Sequence, residues 1–132
     1  MSYGAAAALQ TAIYALLTSA PALSGVLVVD ALPPATVASA FVLIGPEEVV
    51  DRSDKSGDGA EHQIVISVIS EVTGFLTAKV LATGVSDCLT GATPTLSTGR
   101  VVSIQFLRAV ARRLDDGGVR RIDLTFRVRV EI

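Results

Sequence analysis

The chain has no tryptophan and only one cysteine, one histidine and one methionine among its 132 residues. With Cys88 alone, no intramolecular disulfide can form, which suits a reducing compartment. At this length roughly two-thirds of the unfolded chain's surface can be buried, so a core needs neither disulfide nor metal. His62 and Cys88 are too few to supply a His/Cys zinc set, and no nucleophile motif surrounds either of them. Lysine and arginine are absent before Arg52. The alanine-rich opening "MSYGAAAALQTAIYALLTSAPAL" therefore lacks the basic n-region of a signal peptide and reads as part of the fold. No apolar run approaches the ~20 residues of a spanning helix, so no membrane partner is expected.

What is present is apolar bulk and a lopsided charge distribution. Hydrophobic residues make up 50% of the chain and charged ones 18%, a balance that predicts surface covered by partners. Residues 1–99 set three Lys or Arg against nine Asp or Glu, a net of −6, whereas residues 100–132 set eight Arg against four acids, a net of +4. Opposite poles on one small domain are suited to head-to-tail self-association.

Periodicity predicts a first helix over Tyr3–Ser19, with Leu9, Ile13, Leu16 and Leu17 on one face, ended by Pro21 and Gly25. "VLVVD" (26–30) reads as a short strand stopped by Pro33-Pro34. "FVLIG" resumes extended structure at Phe41, and Gly45-Pro46 is expected to interrupt it. "HQIVISVIS" (62–70) is apolar on both faces, as a strand in the middle of a sheet is. The polar stretch "PEEVVDRSDKSGDGAE" before it is long for a hairpin turn and reads as a mobile projecting arm. A second helix is expected over Gly74–Gly91, with a stripe of Phe75, Ala78, Ala82, Val85 and Leu89.

The last third reads as a long hairpin, Arg100–Leu114 and Val119–Ile132 about the turn "DDGG". Its first arm carries two apolar phases, Val102/Ile104/Phe106 and Leu107/Ala109/Ala111, which a bulge near Leu107 or Arg108 would reconcile. The second arm, "VRRIDLTFRVRVEI", alternates strictly. Together these elements predict one α+β domain over 1–132: two helices packed on one face of a mainly antiparallel β-sheet, with a long C-terminal β-hairpin and a projecting loop.

The residues that carry chemistry elsewhere do not assemble into a site. Asp54, Ser56, Asp58 and Gly59 match positions one, three, five and six of an EF-hand loop, but Val65 stands where the bidentate Glu is required, so no metal is expected. No glycine-spaced phosphate loop follows a strand, and no serine sits in a nucleophile elbow. His62, at a strand start, reads as a solvent-edge residue. No catalytic residue, cofactor or enzyme activity is expected. A nucleic-acid-binding module is the main alternative of another class, because Arg108, Arg112, Arg113, Arg120, Arg121, Arg127 and Arg129 could line one hairpin face. Against it, the chain has only six aromatic residues, Phe106 and Phe126 read as core, and Asp123 and Glu131 interleave the arginines as cross-strand partners would.

In element order the whole chain resembles the tail terminator (tail completion) proteins of long-tailed bacteriophages and phage-derived gene transfer agents. The passages that carry the resemblance are "ALQTAIYALLTSAPAL", "VVDALPP", "FVLIGPEE", "AEHQIVISVIS", "GFLTAKVLATGVSDCLTG" and "RRIDLTFRVRVEI", and they are most similar to a gene transfer agent member. The resemblance implies a homo-oligomeric, hexameric ring at the head-proximal end of the tail tube. Such a ring ends tube polymerisation and joins the tail to a head–tail connector or stopper protein, with the tail tube protein as its other partner and DNA only in transit through the channel. Its implied place is the head–tail junction of a virion or virus-like particle, after synthesis in the host cytoplasm. Interface candidates on this reading are Glu47, Glu48, Asp51, Arg52, Asp54, Lys55, Asp58 and Glu61 in the loop, and Arg121, Arg127 and Arg129 on the closing strand. Another tail tube or head–tail connector subunit is the alternative within the same particle.

Overall fold

The computed structural model describes residues 3–31, 40–71, 75–114 and 118–132. Helix α1 spans Ala6–Ser19 and buries Leu9, Ala12, Ile13 and Leu17. Their three- and four-residue spacing puts them on one stripe of the helix. Proline at the start of the next turn cannot continue the ladder of hydrogen bonds, and Pro21–Leu23 form a short 3-10 turn that buries Leu23. Helix α2 spans Leu76–Leu89 and buries Ala78, Ala82, Val85 and Leu89, the predicted stripe; Phe75 packs against the core just ahead of it. Gly74, the expected start of this helix, lies outside the described residues, as do Pro33-Pro34 and most of the "DDGG" turn. Small side chains let α2 approach the chain closely: a Cβ added at Gly84 would stand 3.0 Å from that of Ala22.

Five strands form one sheet: β1 (Leu27–Val29), β2 (Ala40–Asp51), β3 (Gly59–Ser70), β4 (Arg100–Leu114) and β5 (Val119–Glu131). Their spatial order is β1-β2-β3-β5-β4. β1 runs parallel to β2, and every other pairing is antiparallel. β3 is central, as its two apolar faces require. Ile64, Ile66 and Val68 pack toward the helices, while Ser67 and Ile69 are buried on the other face. The core joins Leu9, Ile13 and Leu17 of α1 and Val85 and Leu89 of α2 to these strand residues and to Phe126, Val128 and Val130 of β5. Full burial of each large side chain contributes about 1.5–3 kcal/mol.

Two sequence expectations are corrected. Gly45-Pro46 does not end the strand. β2 continues through it by a register shift between Ile44 and Glu47, so that Ile44 opposes Ile66 and Glu47 opposes Ile64 on the same face. Gly45 makes this possible with φ +101°, a backbone conformation that other L-residues rarely adopt. The segment expected to be a mobile arm is, for most of its length, ordered strand. Glu47–Asp51 belong to β2, Gly59–Glu61 to β3, and only Arg52–Asp58 form the turn between them. Cross-strand hydrogen bonding made this possible for a polar sequence: Val50 pairs with Glu61, which in turn pairs with Arg129 on β5.

The phase conflict in the first arm of the hairpin is resolved as expected. β4 shifts register between Phe106 and Arg108, and again between Val101 and Ser103. Ile104, Phe106, Ala109 and Ala111 therefore share the helix-side face, and Val102 and Leu107 are the inserted residues. Just before β4, Gly99 takes φ +80°, and a Cβ there would meet the Glu131 carbonyl oxygen at 2.8 Å.

Candidate assembly surfaces

Part of the exposed apolar surface lies along α2 and β4. On α2, Leu76 is 78% and Val80 60% exposed; on β4, Val110 is 50% and Phe106 43% exposed. Phe106 was expected in the core, but α2 does not cover β4 beyond Ile104, and every residue from Gln105 to Arg113 is exposed. A groove of about 360 Å³ runs between them, with Ala82 and Thr83 on one wall, Phe106 and Ala109 on the other, and Ile122 and Leu124 at its floor. β4 is also the last strand of the sheet, so its outer row of N–H and C=O groups faces no strand. A long apolar edge of this kind is a template for another chain unless it is covered. This edge carries two bulges and the charges of Arg100, Arg108, Arg112 and Arg113. At the opposite edge of the sheet, α1 and β1 enclose a wider groove of about 650 Å³. Ala7, Thr11, Tyr14, Val28, Val29 and Ile44 line it, and Gln10 donates to Asp30 at its rim, 3.1 Å.

The sheet face turned away from the helices is polar, and many of its charges are tied within the chain. Asp123 accepts from the Ser67 hydroxyl at 2.6 Å and from Arg121 Nε at 2.8 Å, with Arg112 at 3.2 Å. Partial desolvation pushes the Asp123 carboxyl upward, but the Ser67 and Arg121 hydrogen bonds and the charges of Arg121 and Arg112 outweigh it and leave its pKa below the ordinary value. A depressed folded-state pKa means that this stabilisation is complete above the unfolded value of roughly 3.9 and is lost as pH falls through the folded value. Asp123→Asn is therefore expected to lower stability at pH 7 by about 1.5–3 kcal/mol and to flatten this part of the acid limb. Urea unfolding at pH 7 and at stepwise lower pH measures both.

The sequence-predicted interface residues fall at several places. Arg127 donates to Gln105 Oε1, 2.6 Å from Nη2, and Arg129 donates to the Arg52 carbonyl at 3.2 Å. Arg52 stands 4.0 Å from Glu61. Asp51 accepts from the Ser53 hydroxyl at 2.7 Å. Asp54, from the calcium-like motif, accepts from both the hydroxyl and the N–H of Ser56, which hold its pKa below the usual carboxylate range. The Ile132 N–H donates to the Asp58 carbonyl and ties the turn to the C-terminus. Arg52, Asp54, Asp58 and Arg129 thus meet at one end of the sheet around a recess of about 280 Å³. Arg121 lies toward the other end, beside Ile69. Glu48 and Lys55 make no side-chain contact of this kind among the described residues.

His62 is not at the solvent edge. It is fully buried on the helix side, with Nδ1 2.8 Å from Glu47 Oε2. An ionised carboxylate only accepts, so Nδ1 carries the proton of this bond. Burial raises the pKa of the Cys88 thiol, and the Asp87 charge adds to this. A thiol held protonated is a poor nucleophile. Residues that sequence reasoning passed over are the exposed apolar ones of β4 and α2. The conflicting apolar phases of β4 were the available signal, because a strand with apolar residues on both faces at a sheet edge has to be covered by something else.

A domain that ties many of its carboxylates and guanidinium groups into its own sheet while leaving apolar side chains along an edge strand and a helix flank has the surface of an assembly subunit. The family model described as tail completion protein gp17 matches residues 11–131, and the chain belongs to that family. A chain of a solved structure described as the virion of a native gene transfer agent (GTA) particle is 52% identical to it. That match covers 99% of this chain and 100% of the other, with a TM-score of 0.90. No curated protein matches.

Proposed function

We propose that the chain is a structural, non-enzymatic subunit of a gene-transfer-agent-like particle, located at the head–tail junction of its tail. It forms a hexameric ring on the head-proximal end of the tail tube, ends polymerisation of the tube and provides the surface on which the head connector seats. DNA passes through the channel without being bound as a substrate. The observation that carries this reading is the family membership, together with 52% identity over essentially the full length to a chain of such a particle. The uncovered edge strand and the opposite charges of the two ends of the chain support it independently, since a closed ring needs two different surfaces that fit each other.

Particles assembled without this protein are expected to carry tails of unregulated length that fail to join heads, with normal length and joining restored by supplying the chain. Electron micrographs of particles from a deletion background measure both. Tails of unchanged length firmly attached to heads would contradict the assignment. Open-ended stacking of the purified chain into filaments would instead identify a tube subunit.

A further inference from the structure

Building on the ring proposed above, we infer that its subunits join through opposite edges of the sheet: the exposed half of β4, Gln105–Arg113, inserts into the α1–β1 groove of a second copy. Three observations point to a second copy as the occupant. First, the two surfaces lie at the two ends of the strand order β1-β2-β3-β5-β4. A contact between different patches on opposite edges propagates from copy to copy instead of stopping at a pair, and it closes into a ring when the rotation between copies returns to the start. Second, the shapes match in kind. The β4 segment is exposed on both faces and carries Leu107 and Val110 outward, whereas the facing element is a groove lined by Ala7, Val28, Val29 and Ile44.

Third, the charges are complementary. The α1–β1 groove is lined by one acid, Asp30, and by no Lys or Arg. The inserting segment Gln105–Arg113 carries Arg108, Arg112 and Arg113 and no acid. Arg108 makes no ion pair or hydrogen bond among the described residues and lines a recess of the polar face with Glu48 and Thr125. The same charges disfavour the alternative of two β4 edges pairing with each other, because Arg108, Arg112 and Arg113 would then face their own copies. The Gly91 N–H already occupies the Ile104 carbonyl and Thr95 bridges Arg100, so a neighbour would satisfy the outer N–H and C=O groups of β4 beyond Ile104.

The test uses full-length chains in a Cys88→Ser background, one carrying Val110→Cys and the other Thr11→Cys, mixed and treated with a short bis-maleimide. Cross-linked dimers are expected from the mixture and from neither variant alone, and a chain carrying both substitutions should give a ladder that ends at the ring size. Arg108→Glu is expected to weaken assembly at least ~tenfold at low salt, with a smaller loss at high salt as the charges are screened. Two outcomes overturn the inference while leaving the ring standing: assemblies of normal size by light scattering that give no Val110–Thr11 cross-link, or cross-links between two Val110→Cys chains. A parent chain that never assembles removes the ring reading itself, and this contact with it.

Discussion

Chains carrying Leu107→Asp and Val110→Asp together are expected to remain folded and to stay monomeric at concentrations where the parent chain forms rings. Leu107 is 38% and Val110 50% exposed in the single subunit, so aspartate at Leu107 is solvated before assembly and costs the fold little, while at Val110, opposite Asp123, the like charges cost about 0.2–1 kcal/mol. In the proposed contact both side chains lose water, and a buried unpaired carboxylate costs about 2–5 kcal/mol. At 1.4 kcal/mol per factor of ten, the pair should weaken association at least ~100-fold. Sedimentation velocity across a concentration series measures the association, and far-ultraviolet circular dichroism with urea unfolding verifies the fold. Rings of unchanged strength would exclude β4 from the subunit contact.

The second large effect is on the fold. Phe126, on β5, is 1% exposed and meets Phe106 of the neighbouring β4 edge-to-face, with ring centroids 5.9 Å apart and an interplanar angle of 67°. Phe126→Ala is expected to cost about 3–5 kcal/mol through lost burial and the cavity left behind. That is a large share of the roughly 5–15 kcal/mol by which small domains are stable. Phe106→Ala should cost much less for folding, because the side chain is 43% exposed, yet it should weaken assembly if the α2–β4 flank is covered in the ring. Urea midpoints for the two variants, set beside their association constants, separate a core role from an interface role. Equal folding costs would mean that Phe106 is as much a core residue as Phe126.

The parts of the fold that were readable from sequence are those where local pattern and tertiary demand agree. The stripes of α1 and α2, the doubly apolar β3 and the strictly alternating β5 all kept their predicted faces. The bulge in β4 was readable because two apolar phases on one strand cannot share a face without an extra residue. The segment around Glu47–Glu61 was misread as a mobile arm because its polarity is that of a loop. Its order comes from partners distant in sequence, such as Arg129 for Arg52 and His62 for Glu47. His62 itself looked like an edge residue only because the strand was taken to begin there, whereas β3 starts at Gly59.

The candidate surfaces were harder to read than the fold. Charge drew attention to Arg121 and Arg127, which the structure bonds to Asp123, Ser67 and Gln105 of the same chain. The exposed apolar residues of β4 looked like core, because sequence pattern shows that a strand has an apolar face but not whether a helix is long enough or placed well enough to cover it. α2 leaves Gln105–Arg113 of β4 uncovered, and that is a property of the packing of the two layers. It cannot be read from either element alone.

Native mass spectrometry of the purified full-length chain over a wide concentration range tests the central claim most directly. A single dominant species of six copies of the 13.7 kDa chain, growing no further as concentration rises, is the expected result. A monomer at every concentration, or a continuous series of ever longer assemblies, would contradict it.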